Sequence, residues 1–194
     1  MVSMEKMAMQ LLRPQVSLAG RLVRAHLTVT SCFQCRKCSS GCPLSFAMDL
    51  FPDQVIRLAL LGQEDRVLGS RTIWVCSGCE TCTSRCPNGI DIAGVMDWLK
   101  GEAARRGQAV EAEVAAFHRL FLESVRDAGG RLPETRLLRR FTLFKMRHRP
   151  DFAELKGNLK LGWKLWKRQR VRLTGPPALR GKAELNEIFR KADF

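Results

Sequence analysis

The stretch that decides the fold reads Cys32-Phe33-Gln34-Cys35-Arg36-Lys37-Cys38-Ser39-Ser40-Gly41-Cys42-Pro43. It returns as Cys76-Ser77-Gly78-Cys79-Glu80-Thr81-Cys82-Thr83-Ser84-Arg85-Cys86-Pro87. The two runs share one spacing, C-x2-C-x2-C-x3-C-P, and use all eight cysteines of the 194-residue chain. That spacing is the ligand pattern of a [4Fe–4S] cluster, and in paired runs the fourth cysteine of each serves the other cluster. The sequence therefore predicts one cluster on Cys32, Cys35, Cys38 and Cys86. A second falls to Cys76, Cys79, Cys82 and Cys42. Three thiolates at two-residue gaps wrap three corners of a cubane on one tight loop. The fourth corner faces away and takes its ligand from elsewhere in the chain. Proline after the last cysteine fixes φ and donates no N–H, so it ends the run.

Two other uses of eight cysteines fit less well. A disulfide framework belongs to short secreted chains, and no secretory signal precedes these runs. The N-terminal segment lacks the basic-then-apolar layout of such a signal, being interrupted at Arg13, Pro14 and Gln15. Zinc sites of four thiolates usually pair C-x2-C units across a longer gap. Free thiolates and oxygen-sensitive clusters point to the cytoplasm. No apolar run reaches the eighteen or so residues of a membrane span.

Between and after the runs the pattern is helical. Pro52 suits a first helical position and Gly62 the residue beyond the end, with Val55, Leu58 and Ala59 at helical spacing between them. A short turn is expected over Glu64 to Leu68, closed by Gly69. After the second run, Asn88-Gly89 marks a turn. Asp91 is placed to cap a helix reaching about residue 106, with Ile92, Val95, Met96 and Leu99 on one face roofing the neighbouring cluster. Trp74 and Trp98 flank the second run as core residues. Ser31 with Gln34 reads as a capping box starting a helix at the first cysteines. Every cluster corner already has a thiolate, so His26 is read as a surface or packed histidine. A helical insert of this length between the runs argues for an α-helical ferredoxin domain over the β-rich small ferredoxin.

Three spans follow: a leader over residues 1–24, the α-helical ferredoxin domain over 25–106, and a basic helical extension over 107–194. In the leader, Met4, Met7, Leu11 and Leu12 suit a short amphipathic helix. In the extension, Val110, Val114, Phe117, Phe121 and Val125 form the expected stripe of a helix over 108–128. Leu137, Phe141 and Phe144 mark another helix between Pro133 and Pro150. Leu155, Leu159, Trp163 and Trp166 recur among Lys156, Lys160, Lys164 and Lys167. Gly175-Pro176-Pro177 breaks the chain before a last helix near 183–191.

The net charge of +14 is concentrated in the extension. Residues 1–110 hold 13 Lys/Arg against 9 Asp/Glu, and residues 111–194 hold 20 against 10. Such a segment can bind nucleic acid, an acidic membrane surface or a protein partner. An apolar stripe beside wet lysines favours protein docking, with peripheral membrane contact second and no nucleic acid expected.

The residues between the cysteines also carry a likeness. Met48-Asp49, Pro52, Val55-Ile56-Arg57-Leu58, Ile73-Trp74-Val75-Cys76, Arg85-Cys86-Pro87, Asp91-Ile92 and Val95-Met96 resemble HdrC, the two-cluster member of heterodisulfide reductase, over about residues 25–105. The cysteine runs alone are shared with iron–sulfur subunits of succinate dehydrogenase, fumarate reductase and glycolate oxidase. The resemblance implies a polypeptide that relays electrons through two [4Fe–4S] clusters. Its implied partners are HdrA-like, bearing flavin and clusters, and HdrB-like, cysteine-rich and catalytic. The chain has no adjacent cysteine pair, no glycine-rich dinucleotide fingerprint and no catalytic dyad, so no turnover is expected of it alone.

Overall fold

The computed structural model describes residues 18–170 and 181–191. The amphipathic helix expected near Met4 to Leu12 and the break at Gly175-Pro176-Pro177 lie outside these residues. Every regular element among the described residues is helical. The chain divides into two units, residues 1–111 and 112–194.

In the first unit, α1 (Leu18–Arg24) precedes the first cysteine run, and α2 (Lys37–Ser40) lies inside it. A 3-10 turn over Ser45–Ala47 leads to α3 (Pro52–Leu60), α4 (Glu64–Leu68) and α5 (Thr72–Val75). The second run contains α6 (Thr81–Ser84) and is followed by α7 (Ile92–Arg105). Pro52 opens α3, and the Gln54 side chain accepts from the Phe51 amide at 2.9 Å. Gly62 then takes φ 67, a left-handed conformation that glycine adopts without the usual Cβ penalty. Asp91 caps α7 by accepting from the Gly94 amide at 2.8 Å. Ile92, Val95, Met96 and Leu99 are buried, as the periodicity predicts.

The core joins that face to Val55, Ile56, Val67, Leu68 and Ile73. It also takes Leu18, Leu22 and Val29, so the part of the expected leader over Leu18–Arg24 contributes buried side chains. A carboxylate–guanidinium network ties the elements at one edge. Arg106 pairs with Glu64 at 2.8 Å and with Glu102 at 2.7 Å, and Arg21 pairs with both acids. Arg21 also lies over the Trp98 ring, 5.7 Å from its centroid.

One expectation fails in this unit. Ser31 and Gln34 do not start a helix at the first cysteines. Gln34 and Arg36 take φ 59 and 63, and α2 begins only at Lys37. A helix there would line the thiols along its own axis, whereas two left-handed residues curl the loop around a centre.

In the second unit, α8 (Ala112–Asp127) and α9 (Glu134–His148) form an antiparallel pair, followed by α10 (Phe152–Lys167) and α11 (Lys182–Lys191). Glu123–Arg140 at 2.6 Å, Asp127–Arg136 at 3.2 Å and an edge-to-face contact of Phe117 with Phe141 run along the α8–α9 seam. The predicted stripe of α8 is rotated. Ala116, Leu120 and Ser124 are buried, while Phe117 and Phe121 stay partly exposed and Val110 precedes the helix. The buried positions recur every four residues and are offset by one from the predicted Phe117, Phe121 and Val125. Asp151 caps α10, accepting from Ala153 and Glu154 amides at 2.9 and 3.0 Å. Neither α10 nor α11 buries a residue.

Candidate metal centre

The two cysteine runs fold into the same loop twice. The residue before the second cysteine has positive φ in each, Gln34 at 59 and Gly78 at 64. The residue after it does too, Arg36 at 63 and Glu80 at 57. A one-turn helix then starts two residues past the second cysteine. Exposure repeats as well. Cys35 and Cys79 are exposed, Cys38 and Cys82 are buried, and the first and fourth cysteines of each run lie between. None of the eight is paired in a disulfide.

Each loop is locked to the helix that follows it by one hydroxyl. Ser39 accepts from the Asp53 amide at 2.9 Å and donates to the Asp53 carboxylate, at the start of α3. Thr83 accepts from the Ala93 amide at 3.0 Å and donates to Asp91 at 3.2 Å, at the start of α7. The residue after the third cysteine thus fastens the loop to a helix N-terminus, where an acceptor is favourable. Asp49 adds a tie between the segment after Cys42 and the one before Cys76. Its carboxylate accepts from the Arg71 and Thr72 amides, both at 2.9 Å, and from the Thr72 hydroxyl at 2.7 Å. Burial alone pushes the Asp49 carboxyl up. These hydrogen bonds outweigh it and hold the group below the usual carboxylate value.

The loops also cross. Helices α2 and α6 pack against each other. A cavity is lined by Cys42, Cys76, Cys79 and Cys82, with Met48, Ala93 and Met96 among its apolar walls. Met96 belongs to the apolar face of α7 that the sequence places as a roof. On the other side, the Asn88 side chain, two residues past Cys86, donates to the carbonyl of Ser31, just before Cys32. The residues preceding the two fourth cysteines meet: a Cβ on Gly41 would lie 2.5 Å from Cδ of Arg85. Among the described residues no three His, Cys, Asp or Glu side chains are spaced for a single metal ion. The thiols of the second set instead line a shared cavity, the arrangement that a multi-iron cubane with one thiolate per corner requires.

Local chemistry differs from thiol to thiol. Burial pushes Cys82 up to about 11 and also raises Cys38, so both thiols hold their protons at neutral pH until a bound cation displaces them and takes the thiolate as ligand. At exposed Cys79, hydrogen bonding with Thr81 lowers the thiol. Gln34 donates to the Cys32 sulfur at 3.2 Å. The buried indole N–H of Trp74, two residues before Cys76, finds no acceptor among the described residues. His26 is exposed at a left-handed turn after α1, as expected of a histidine with no ligand role. Three tying residues escaped the sequence reading: Ser39, Thr83 and Asn88. The first two stand at the same register in each run, and comparison of the runs with one another would have found them.

An all-helical fold with two interlocked cysteine loops defines a two-cluster ferredoxin of the α-helical kind. Residues 28–90 match the 4Fe-4S dicluster domain family, and the chain carries two [4Fe–4S] clusters. Beyond that domain the likeness is more particular. The HdrC polypeptide of ferredoxin/F420H2-dependent CoB-CoM heterodisulfide reductase from Methanosarcina acetivorans is 32% identical over 114 residues, covering 58% of this chain and 67% of the relative. The second HdrC-type iron-sulfur polypeptide of CoB–CoM heterodisulfide reductase from Methanocaldococcus jannaschii is 38% identical over 96 residues, 48% and 51% of the two chains. The HdrC polypeptide of H2:CoB-CoM heterodisulfide,ferredoxin reductase from Methanothermobacter marburgensis is 34% identical over 84 residues, 43% and 45% of the two. The chain belongs to this HdrC family of heterodisulfide reductase components. It spans about half the length of most of the curated relatives it matches.

Proposed function

We propose that this chain is the electron-relay component of a heterodisulfide-reductase-like complex, carrying electrons between an HdrA-like partner that bears flavin and clusters and an HdrB-like, cysteine-rich catalytic partner. In this reading residues 25–106 form the relay and residues 107–194 dock it to its partners, in the cytoplasm. No helix among the described residues is long and apolar enough to cross a membrane. The relay itself turns over no substrate.

The ligand sets we propose are crossed. Cys32, Cys35, Cys38 and Cys86 hold one cluster, and Cys76, Cys79, Cys82 and Cys42 hold the other. The observation that carries this is the cavity in which Cys42 joins the three thiols of the opposite run. When bound, each cluster supplies a one-electron couple whose potential depends on hydrogen bonds to sulfur and on burial. The chain supplies the rest. Its eight thiolates fix the irons, and the apolar face of α7 excludes water from the second site. The Ser39 and Thr83 hydroxyls hold both loops against helix N-termini. Packing of α2 on α6 keeps the sites close.

Paramagnetic spectra of dithionite-reduced variants test the crossing. Cys42→Ser and Cys79→Ser should lose the same signal, and Cys86→Ser and Cys35→Ser the other. The assignment fails if Cys42→Ser removes the signal that Cys35→Ser removes. Co-purification under anaerobic conditions with a flavoprotein and a cysteine-rich partner tests the relay. In the same preparation, Trp163→Ser with Trp166→Ser should leave both clusters and release the partners. Flotation of the chain on acidic liposomes, with no protein partner retained, would replace docking to protein with docking to membrane.

A further inference from the structure

The two loops have one backbone and opposite faces. At the exposed second cysteine of the first run the chain reads Phe33-Gln34-Cys35-Arg36-Lys37, and at the second run Ser77-Gly78-Cys79-Glu80-Thr81. Cys35 and Cys79 are the ligands nearest solvent in their loops. An electron therefore enters or leaves each cluster most directly there. Around Cys35, Phe33 is 62% exposed, the Arg36 side chain is 68% exposed and Lys37 is exposed. Around Cys79 the exposed neighbours are Ser77, Gly78 and the acid Glu80. The strictest comparison is between Arg36 and Glu80. They share a register, a left-handed φ near 60 and the position just before the one-turn helix, and differ in charge.

We infer that the Cys35 tip is the docking face for an acidic redox protein, and that the Cys79 tip serves a partner of different surface. The inference rests on the relay reading and deepens it. Exposed aromatic and arginine side chains are enriched where proteins meet. Charge at such a rim acts mainly on the rate of encounter. Three opposing charges are accounted for. Arg85 of the second run is exposed, but its side chain lies against Gly41 of the first run. Asp53 accepts an ion pair from Arg36 at 3.6 Å, but its carboxylate is buried beneath the loop, and the guanidinium stays exposed. Lys100 near the second loop is bound to the Cys76 carbonyl at 3.2 Å and is part-buried. The exposed tips keep opposite signs. Opposed signs on the two electron portals keep one partner from occupying both, which a relay between two different proteins needs.

The test uses the full chain with both clusters loaded. A small acidic two-cluster ferredoxin, reduced with dithionite and desalted, is the donor in stopped flow. The reaction moves one electron from the reduced ferredoxin cluster to an oxidised cluster of this chain, followed at the visible bleach. Wild-type transfer should slow steeply as salt rises. Arg36→Glu with Lys37→Glu should slow it tenfold or more at low salt and flatten the salt dependence. Glutamate is compatible with that backbone, since Glu80 already occupies its equivalent. Lys37→Glu alone, which spares the Asp53 pair, should give a smaller loss in the same direction. Glu80→Arg should leave the rate equal or raise it. Wild-type rates in the double variant, or a tenfold loss in Glu80→Arg, would overturn the inference. Loss of cluster absorbance in the wild type would instead defeat the relay reading, before any rate is measured.

Discussion

Helices α7 and α10 both carry apolar stripes at helical spacing, and the fates of the two stripes differ. In α7 the stripe of Ile92, Val95, Met96 and Leu99 is 2% exposed or less at every position. In α10 Leu159 is 65%, Trp163 58% and Trp166 48% exposed. The polar residues differ as well. On an ideal 100° wheel, Lys156, Lys160, Lys164 and Lys167 of α10 gather along one flank of the apolar stripe. The α7 stripe has the core of its own unit to cover it. A helix with few internal contacts gains little stability from its apolar face until something else covers that face. Helix α7 is covered by its own unit, whereas α10 leaves its stripe open, the face that the docking proposal assigns to a partner. This contrast can be broken at several points.

The largest effect belongs to the thiols. Cys79 is exposed, so Cys79→Ser removes little packing, and its consequences run through the cluster. Iron and labile sulfide should fall from about eight of each per chain to about four, and electron transfer through the chain should stop. The second unit should keep its helicity by far-ultraviolet circular dichroism. Collapse of α8 to α11 in this variant would mean that the two units are not independent.

Next come paired truncations of like chemistry. Met96→Ala empties a fully buried site beside the thiol-lined cavity and should cost about 2–5 kcal/mol in anaerobic denaturant unfolding. Leu159→Ala, on the bare face of α10, should shift stability by no more than about 0.5 kcal/mol. Equal losses would show that the α10 stripe is covered within the free chain. The contrast between buried and docking faces would then fall.

Periodicity explains how much of this was legible. The cysteine spacing announced the loops, Pro52 and Gly62 bounded α3, and Asp91 opened α7, because each signal is local: a fixed φ, a missing N–H, a cap. The rotated face of α8 was not legible. Hydrophobicity singled out Val114, Phe117, Phe121 and Val125, but which side of a helix is covered depends on its neighbour. The covered positions are Ala116, Leu120 and Ser124. The curl at Gln34 and Arg36 was hidden for a related reason. Left-handed φ at both residues is offset by interactions that only the closed loop supplies, among them the Gln34 bond to the Cys32 sulfur.

The remaining effect is electrostatic and belongs to Asp49, which ties two separate segments of the first unit, whereas Asp151 caps only its own helix α10. Its carboxyl is held below the ordinary value of 3.8, so the folded state binds this proton more weakly than the unfolded chain does. The stabilisation is therefore fully present above the unfolded value and is lost as pH falls through the lower folded one. Asp49→Ala leaves the Arg71 and Thr72 amides without this acceptor and should cost about 1 kcal/mol at neutral pH, in the range of a lost helix cap. Between neutral pH and the acid limb the difference between wild type and variant should shrink, because protonation removes in the wild type what the substitution has already removed. Cluster-loaded protein unfolded by denaturant at several pH values gives the comparison directly. A difference that stays constant down to the acid limb would mean that Asp49 acts through packing and not through its charge.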